Sequence, residues 1–598
     1  MSDAGDIDVQ ARLRPQRRLT IGVTGHRPDR LGAGNLAAVA AATDAVLAAI
    51  EHAAQPPAPD ALRLVTSLAE GADEIGADGA LTRGWRLDVV LPFDRDDYAA
   101  DFAADARHRY RRLLDACASV MELPGDRAEP EGAGIAYERA GRIVLAQSDI
   151  LVAIVDGGPA RGRGGAPQMV AEAVLQGIPV IQIDSAGRSE PILLWDGLEE
   201  LDLGQQTVET VARGDLGALP DLVRGLVAIG AQPEAATPLE RFAARRRSHV
   251  TLAIAYPLLL GIMGVRRLRL GDVRPVAVPP VAEMLAAVPC SSDGAFARRI
   301  RDVLAPRFAY ADAAASRFAQ LFRSVYVTNF AFAALAVLFS MLSLALPAAA
   351  KPVLILLELG TIATILVQTR AGTRAAWHRL WLDNRAIAER LRCLGISAQL
   401  GDLELRAGGD HAADWAVGYT RATARELGLP SARIDATYLG CVRDDLMRLI
   451  DDQVAYLASD AHRMHRLEHR LHLLGTILFA LSALTCVGLL AFKMLDAFDH
   501  RLEPLVHMVS IGSTMISATL PAIGAAIYGI RMQGDFAGTA ERNHTLGDQL
   551  ARLRAVIAED ALSFDTLGRR VKRVTGLLTE DLSAWLQTYH ARPLALPG

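Results

Sequence analysis

Three short segments hold the residues best suited to chemistry: Thr24-Gly25-His26-Arg27-Pro28, Ser67-Leu68-Ala69-Glu70-Gly71-Ala72-Asp73, and Asp156-Gly157-Gly158 running on to Arg161-Gly162-Arg163-Gly164-Gly165. Glycines ahead of a helix leave main-chain N–H groups free to cradle phosphate. Arg27, Arg161 and Arg163 add cationic donors of the kind that grip phosphate oxygens. His26 follows a glycine in a loop rather than sitting on an apolar face, which suits contact with a base or ribose. The plain alternative for any one loop is an ordinary turn. Three such loops on one sheet edge favour a nucleotide site, with Thr24, Gly25, His26, Arg27, Ser67, Gly71, Asp73, Gly157, Gly158, Arg161, Arg163, Gly164 and Gly165 as its binding candidates. Asp94, Asp96 and Asp97 form an acidic loop that is either solvated or set to meet a ribose hydroxyl or a divalent ion.

The elements that position these loops are legible as short apolar runs. Arg18–Val23, Leu62–Thr66, Leu87–Leu91, Ile150–Val155 and Pro179–Ile183 read as strands. Asn35–His52, Tyr98–Cys117 and Gly134–Gln147 read as helices, and a further helix starts near Met169. Strands alternating with helices predict an α/β domain with a mostly parallel, Rossmann-like sheet over residues 18–240, with ligand at the C-terminal strand ends.

The same loops resemble those of the SLOG superfamily, which joins the LOG proteins, the Smf/DprA fold and the N-terminal domain of TRPM channels. Ser67–Asp73 resembles the Smf/DprA pattern Gly-Leu-Ala-x-Gly-x-Asp, and Thr24-Gly25-His26-Arg27 resembles a first-strand signature of bacterial SLOG groups. Glu138-Arg139 to Ser148-Asp149, then Asp156-Gly157-Gly158, Gly164-Gly165 and Glu172, resemble the LOG stretch ending in Pro-Gly-Gly-x-Gly-Thr-x-x-Glu. The resemblance implies a bound small nucleotide, related to NAD or ADP-ribose or acting as a second messenger. Enzymatic LOG proteins cleave nucleoside monophosphates with an Arg and a Glu. The matching positions here are Arg139 and Glu172, catalytic only if the chain is an enzyme. Asp156 stands where the family has Pro, extra residues separate the glycine pairs, and Ala166 replaces the Gly-Thr turn.

The C-terminal half is of another kind. Val325–Ala350, Pro352–Val367, Leu471–Phe492 and Leu505–Ile530 are long and apolar. About 20 such residues cross a bilayer as helix. They predict an all-α membrane part with four transmembrane helices in two hairpins, one within residues 325–460 and one within 461–590, after a linker region at 241–324. Within that linker Val250–Val265 reads as a buried or interfacial helix, with a fifth span as the alternative. Arg323, Arg370, Arg374, Arg463, Arg466, Arg470 and Arg531 flank the inner ends, so the positive-inside rule places both termini in the cytoplasm of a multi-pass inner-membrane protein. Each hairpin runs on into a similar amphipathic helix, which reads as a duplicated unit. This architecture resembles the SLATT group of two-span modules associated with SLOG genes. Ser510, Ser513, Thr514 and Ser517 favour close helix packing and a homo-oligomer.

Composition bounds the alternatives. Across 598 residues the net charge is -5, and there is no basic stripe, so nucleic acid is not an expected partner. The five cysteines have no metal-site spacing, and no metal is expected. The favoured expectation is a nucleotide-sensing membrane effector that gates an oligomeric pore or disrupts the membrane. The resemblance implies a setting in bacterial defence. The alternative is a membrane-anchored nucleotide N-glycosidase or phosphoribohydrolase.

Overall fold

The computed structural model describes residues 12–31, 34–127, 130–159, 162–195, 206–228, 253–268, 294–403, 405, 415–496, 503–594 and 596. Its N-terminal part is built on parallel strands β1 (Leu19–Gly25), β2 (Leu62–Thr66), β3 (Arg86–Leu91), β4 (Ser119–Glu122), β5 (Ile150–Val155) and β6 (Val180–Asp184). β7 (Ile192–Leu194) and β8 (Arg213–Gly214) continue the sheet antiparallel. The order is β8-β7-β6-β5-β1-β2-β3-β4-β9. Every residue of β5, Ile-Leu-Val-Ala-Ile-Val, is buried, as parallel strands covered on both faces require.

β9 is Ala432–Arg433, far along the chain, and it pairs in parallel with β4 (Met121↔Ala432, Glu122↔Arg433). The sheet therefore draws its last strand from beyond the 18–240 segment. Neither β4 nor β9 is anticipated above, and two residues are too few to carry a periodic signal.

Helices cover both faces. In α1 (Leu36–Ala54) the residues Val39, Thr43, Val46, Leu47 and Ile50 recur at helical spacing and are buried. The helix stops where Gln55 turns left-handed at φ 44°. α2 (Ala72–Thr82), α3 (Pro130–Gln147) and α4 (Ala166–Leu175) follow β2, β4 and β5. Trp195–Ala228 reads from sequence as surface helix and loop; its helix, Leu219–Val227, instead sends Leu219, Leu222, Val223 and Leu226 into the core.

The C-terminal part is helical: α5 (Ala305–Ala345), α6 (Lys351–Arg374), α7 (Trp377–Ser397), α8 (Trp415–Leu427), α9 (Ala436–Asp496), α10 (Glu503–Gly534), α11 (Phe536–Glu559) and α12 (Phe564–His590). α5 ends five residues short of the expected Ala350, because Leu346-Pro347 leaves helical geometry. At 1.5 Å per residue the 61 residues of α9 span about 90 Å, far more than the ~30 Å of a bilayer core, so α9 projects well beyond any span. Ala255–Ile262 is an eight-residue helix with Tyr256, Pro257 and Leu260 buried, too short to cross.

Among the described residues five helices are long and apolar enough to cross a membrane, where four were expected: Leu36–Ala54, Gly294–Ala345, Ala348–Arg374, Ala436–Leu495 and Val509–Glu559. The additional one is α1, whose alanines raise its hydropathy and whose larger side chains pack into the core beneath the sheet. In the most apolar stretch of Ala436–Leu495 only 6% is buried within the chain. Leu356, Val367, Phe479, Leu484 and Leu490 stand exposed along α6 and α9, an apolar surface that water does not favour. It is consistent with a multi-pass membrane protein.

The two hairpins share a connection geometry. α6 leads into α7 through left-handed Ala376 (φ 52°), and α10 leads into α11 through left-handed Asp535 (φ 47°). An aromatic residue, Trp377 or Phe536, opens each second helix. α7 folds back onto α5, and α11 folds back onto α9.

Candidate functional site

The strand order reverses direction between β1 and β5, and this is where open α/β sheets bind ligands. A cavity of about 280 Å³ lies there. Thr24, Gly25, His26 and Arg27 line it from the end of β1, Ser67 and Asp73 from the end of β2, and Arg163, Gly164 and Gly165 from the loop before α4. One cavity thus gathers most of the binding candidates. Gly71, Gly157 and Gly158 are not in its lining, and Arg161 lies outside the described residues.

Each loop is held by identifiable contacts. The His26 N–H donates to the Ile154 carbonyl (2.9 Å), and the Ala72 N–H donates to the His26 carbonyl (3.2 Å), which ties β1, β2 and β5 together at this edge. Gly25 permits the close approach: a Cβ there would stand 2.7 Å from the Ile154 carbonyl oxygen. Gly71 and Gly157 serve as left-handed turns at φ 102° and 73°. The Gly158 N–H donates to Asp156 Oδ1 (2.9 Å), so that amide supports the loop. Gly164 has φ 78°, and a Cβ on it would meet the Glu138 main-chain nitrogen at 2.5 Å. Its N–H donates to Gln168 Oε1 (2.8 Å).

His26 Nε2 lies 2.8 Å from Asp156 Oδ1 and 3.0 Å from the Asp156 main-chain nitrogen. Depending on tautomer it donates to the carboxylate or accepts from the N–H. Burial lowers the His26 pKa, against the opposing pull of Asp156, which favours the neutral ring. Asp156 is gripped by Arg30 (Nε to Oδ2, 2.9 Å), which holds its carboxyl well below the usual range. Cationic attraction within the cavity therefore rests on Arg27, Arg30 and Arg163. The Arg27 guanidinium stacks over Tyr137 at 5.4 Å, and Tyr137 donates to Asp101 Oδ2 (2.5 Å).

Two buried polar groups also face this space. Burial pushes the Asp73 carboxyl up to about 6, although it accepts the Ala69 N–H at 3.1 Å. The Tyr98 hydroxyl has no hydrogen-bond partner among the described residues. Arg30, Tyr98, Tyr137 and Asp156 are functional neighbours that the sequence reading did not single out as ligands. Tyr98 and Tyr137 fell inside predicted helices, and only the tertiary fold turns them toward the loops.

Arg139 and Glu172 stand elsewhere. Arg139 Nε donates to Asp565 Oδ1 (2.9 Å) at the start of α12, and Glu172 is held by Arg142 (2.9 Å) and Gln168 (3.0 Å). Burial would raise the Glu172 pKa, but these partners outweigh it and the carboxyl is held low. Neither residue lines the cavity. Arg139 borders a second space of about 390 Å³ between α3 and α12, which Arg163 also borders. Arg163 pairs with Glu138, beside Arg139. The acidic loop is committed to structure: Asp94 caps the next helix and pairs with Arg433 (3.1 Å), and Asp97 pairs with Arg127 (3.1 Å). Among the described residues no cluster of His, Cys, Asp and Glu is arranged to hold a metal ion.

The chain matches no protein-family model, no curated protein and no solved structure. What the site does is argued from its geometry.

Proposed function

We propose that the protein is a nucleotide-sensing membrane effector. Its α/β part binds a small nucleotide at the edge formed by His26, Arg27 and Arg163, and its helical part, with four spans in two hairpins and both termini cytoplasmic, gates a pore or disrupts the bilayer as a homo-oligomer. The observation that carries this reading is the convergence of three strand-end loops on one cavity of about 280 Å³ with cationic and hydrogen-bonding groups in its wall. Pockets for small ligands begin near that size, roughly 300 Å³. A second observation supports the link to the membrane. Arg163 of the cavity pairs with Glu138, and the adjacent Arg139 pairs with Asp565 of α12. A ligand phosphate competing for Arg163 would act on α3 and through it on α12. The resemblance to SLOG and SLATT modules fits this division of labour and supports a setting in bacterial defence.

The test uses the full chain in detergent, since the sheet needs β9. Nucleotides are offered as a panel with mass readout of both binding and turnover. Binding without turnover, lost in Arg27→Ala with Arg163→Ala, supports the sensor and leads to leak assays in liposomes. Turnover abolished by Glu172→Gln would replace it with the hydrolase reading. No binding at all would reject both.

A further inference from the structure

A third cavity, of about 370 Å³, lies inside the helical part, where the two repeated units meet. α5 and α7 of the first unit line it with Arg323 and Trp381, and α9 and α11 of the second line it with Asp460, Arg463 and Asn543. Arg323 stands two residues before the first apolar run and Arg463 comes shortly before the third, so the cavity sits at the inner ends of the spans.

Its charged groups are unevenly satisfied. Asp460 is paired with Arg463 (3.1 Å) and accepts from Asn543 (2.9 Å), and Glu389 is paired with Arg385 and Arg392. Arg323 is different. Its guanidinium carbon lies over the rings of Tyr256 at 5.3 Å and Trp381 at 5.5 Å, and among the described residues it has no hydrogen bond and no carboxylate within ion-pair distance. Ring contacts of this kind attract the cation but give its N–H groups, the part that bonds oxygen, no oxygen acceptor. Tyr256 Oη and Arg463 Nε are also buried without partners. Three donors without acceptors therefore border one space. Asp581 is the remaining carboxyl in the wall, and burial raises its pKa, which weakens its opposition to an anion.

We propose that this cavity binds a phosphoryl anion, with Arg323 as its principal contact and Tyr256 and Arg463 as further donors. Planar guanidinium N–H pairs match phosphate oxygens, and a site between bundle helices is a common place for a ligand. Such an anion would touch both repeated units and bridge them. It belongs either to a phospholipid headgroup of the adjoining leaflet or to a soluble phosphate compound, and in either case it is separate from the nucleotide at His26.

Two measurements on the full chain test this. Phospholipid retained per chain after detergent exchange is counted by mass spectrometry, and the Tm of delipidated protein is compared in inorganic phosphate and in chloride at equal ionic strength. Retention that falls about tenfold or more in Arg323→Gln, and less in Arg323→Lys, supports the site with lipid as its source. A Tm rise in phosphate that Arg323→Gln abolishes supports it with a soluble source. Should Arg323→Gln fail to fold, Tyr256→Phe removes only a hydroxyl and must still weaken whichever signal the wild type shows. Absence of both signals in the wild type, or signals untouched by both variants, overturns the proposal.

Discussion

Arg425 holds Asp149 in a two-pronged ion pair, Nε and Nη2 lying 3.0 and 2.8 Å from Oδ1, across 276 positions of sequence. Both side chains are buried, at 4% and 0% exposure. Asp149 also accepts the Thr20 N–H (2.9 Å) at the foot of β1, and Arg425 donates to the Leu226 carbonyl (2.8 Å). A helix of the C-terminal half is thereby fastened beneath the central strands.

Removing only the cation leaves a buried carboxylate without its partner. Arg425→Met is expected to cost roughly 3–5 kcal/mol, seen as a lowered Tm of the full chain in detergent. Arg425→Met with Asp149→Asn should recover part of the loss, because the uncompensated charge is gone.

Gly164 combines a left-handed φ of 78° with a main-chain nitrogen 2.5 Å from where a Cβ would stand. Gly164→Ala must displace the Arg163 loop away from α3. Nucleotide affinity, measured by calorimetry, should fall at least about tenfold, the effect of losing one charge-assisted contact.

The Asp73 carboxyl, raised by burial from 3.8 to about 6, makes folding pH-dependent. Between those values the folded chain keeps a proton that the unfolded chain releases. This contribution to stability is complete below the unfolded value and is lost as pH rises through about 6. Asp73→Asn abolishes the ionisation. Relative to wild type the variant should gain stability from about pH 4 to pH 8, on the order of 3 kcal/mol in total. A Tm difference that stays flat across that range would contradict the assignment.

Arg139 touches Asp565 but does not line the cavity beside His26. Arg139→Ala should leave nucleotide affinity within about twofold while removing the dependence of liposome leak on nucleotide. Equal loss of affinity and leak would place Arg139 in the binding site instead.

Much of this architecture can be read from local pattern. β5 is six consecutive buried aliphatic residues, and the loops after β1, β2 and β5 each carry glycine, with arginine in the first and last. Two kinds of feature escape such reading. One is the short element, such as Ala432–Arg433, which carries no period and exists because β4 offers it a partner. The other is the distant pair. Nothing near Asp156 announces that Arg30 and His26 will close on it, and nothing near Asp149 announces Arg425. α1 shows the reverse problem: alanine gives it the hydropathy of a membrane span, and only its burial in the sheet's core reveals its place.

The pairing of β4 with β9 also sets an order of birth. Val120 and Ser431, which bond at that edge, are 311 residues apart. A ribosome adding roughly 5–20 residues per second needs on the order of 15–60 s to cover that distance, and α5 and α6 emerge in the interval. The nascent sheet must wait with the outer edge of β4 unpaired while the first apolar hairpin is made. An open strand edge invites pairing with the wrong chain. Newly made copies on one messenger are therefore at greatest risk of sticking to one another before residue 433 is translated, and a stall in that window would be more damaging than one after it.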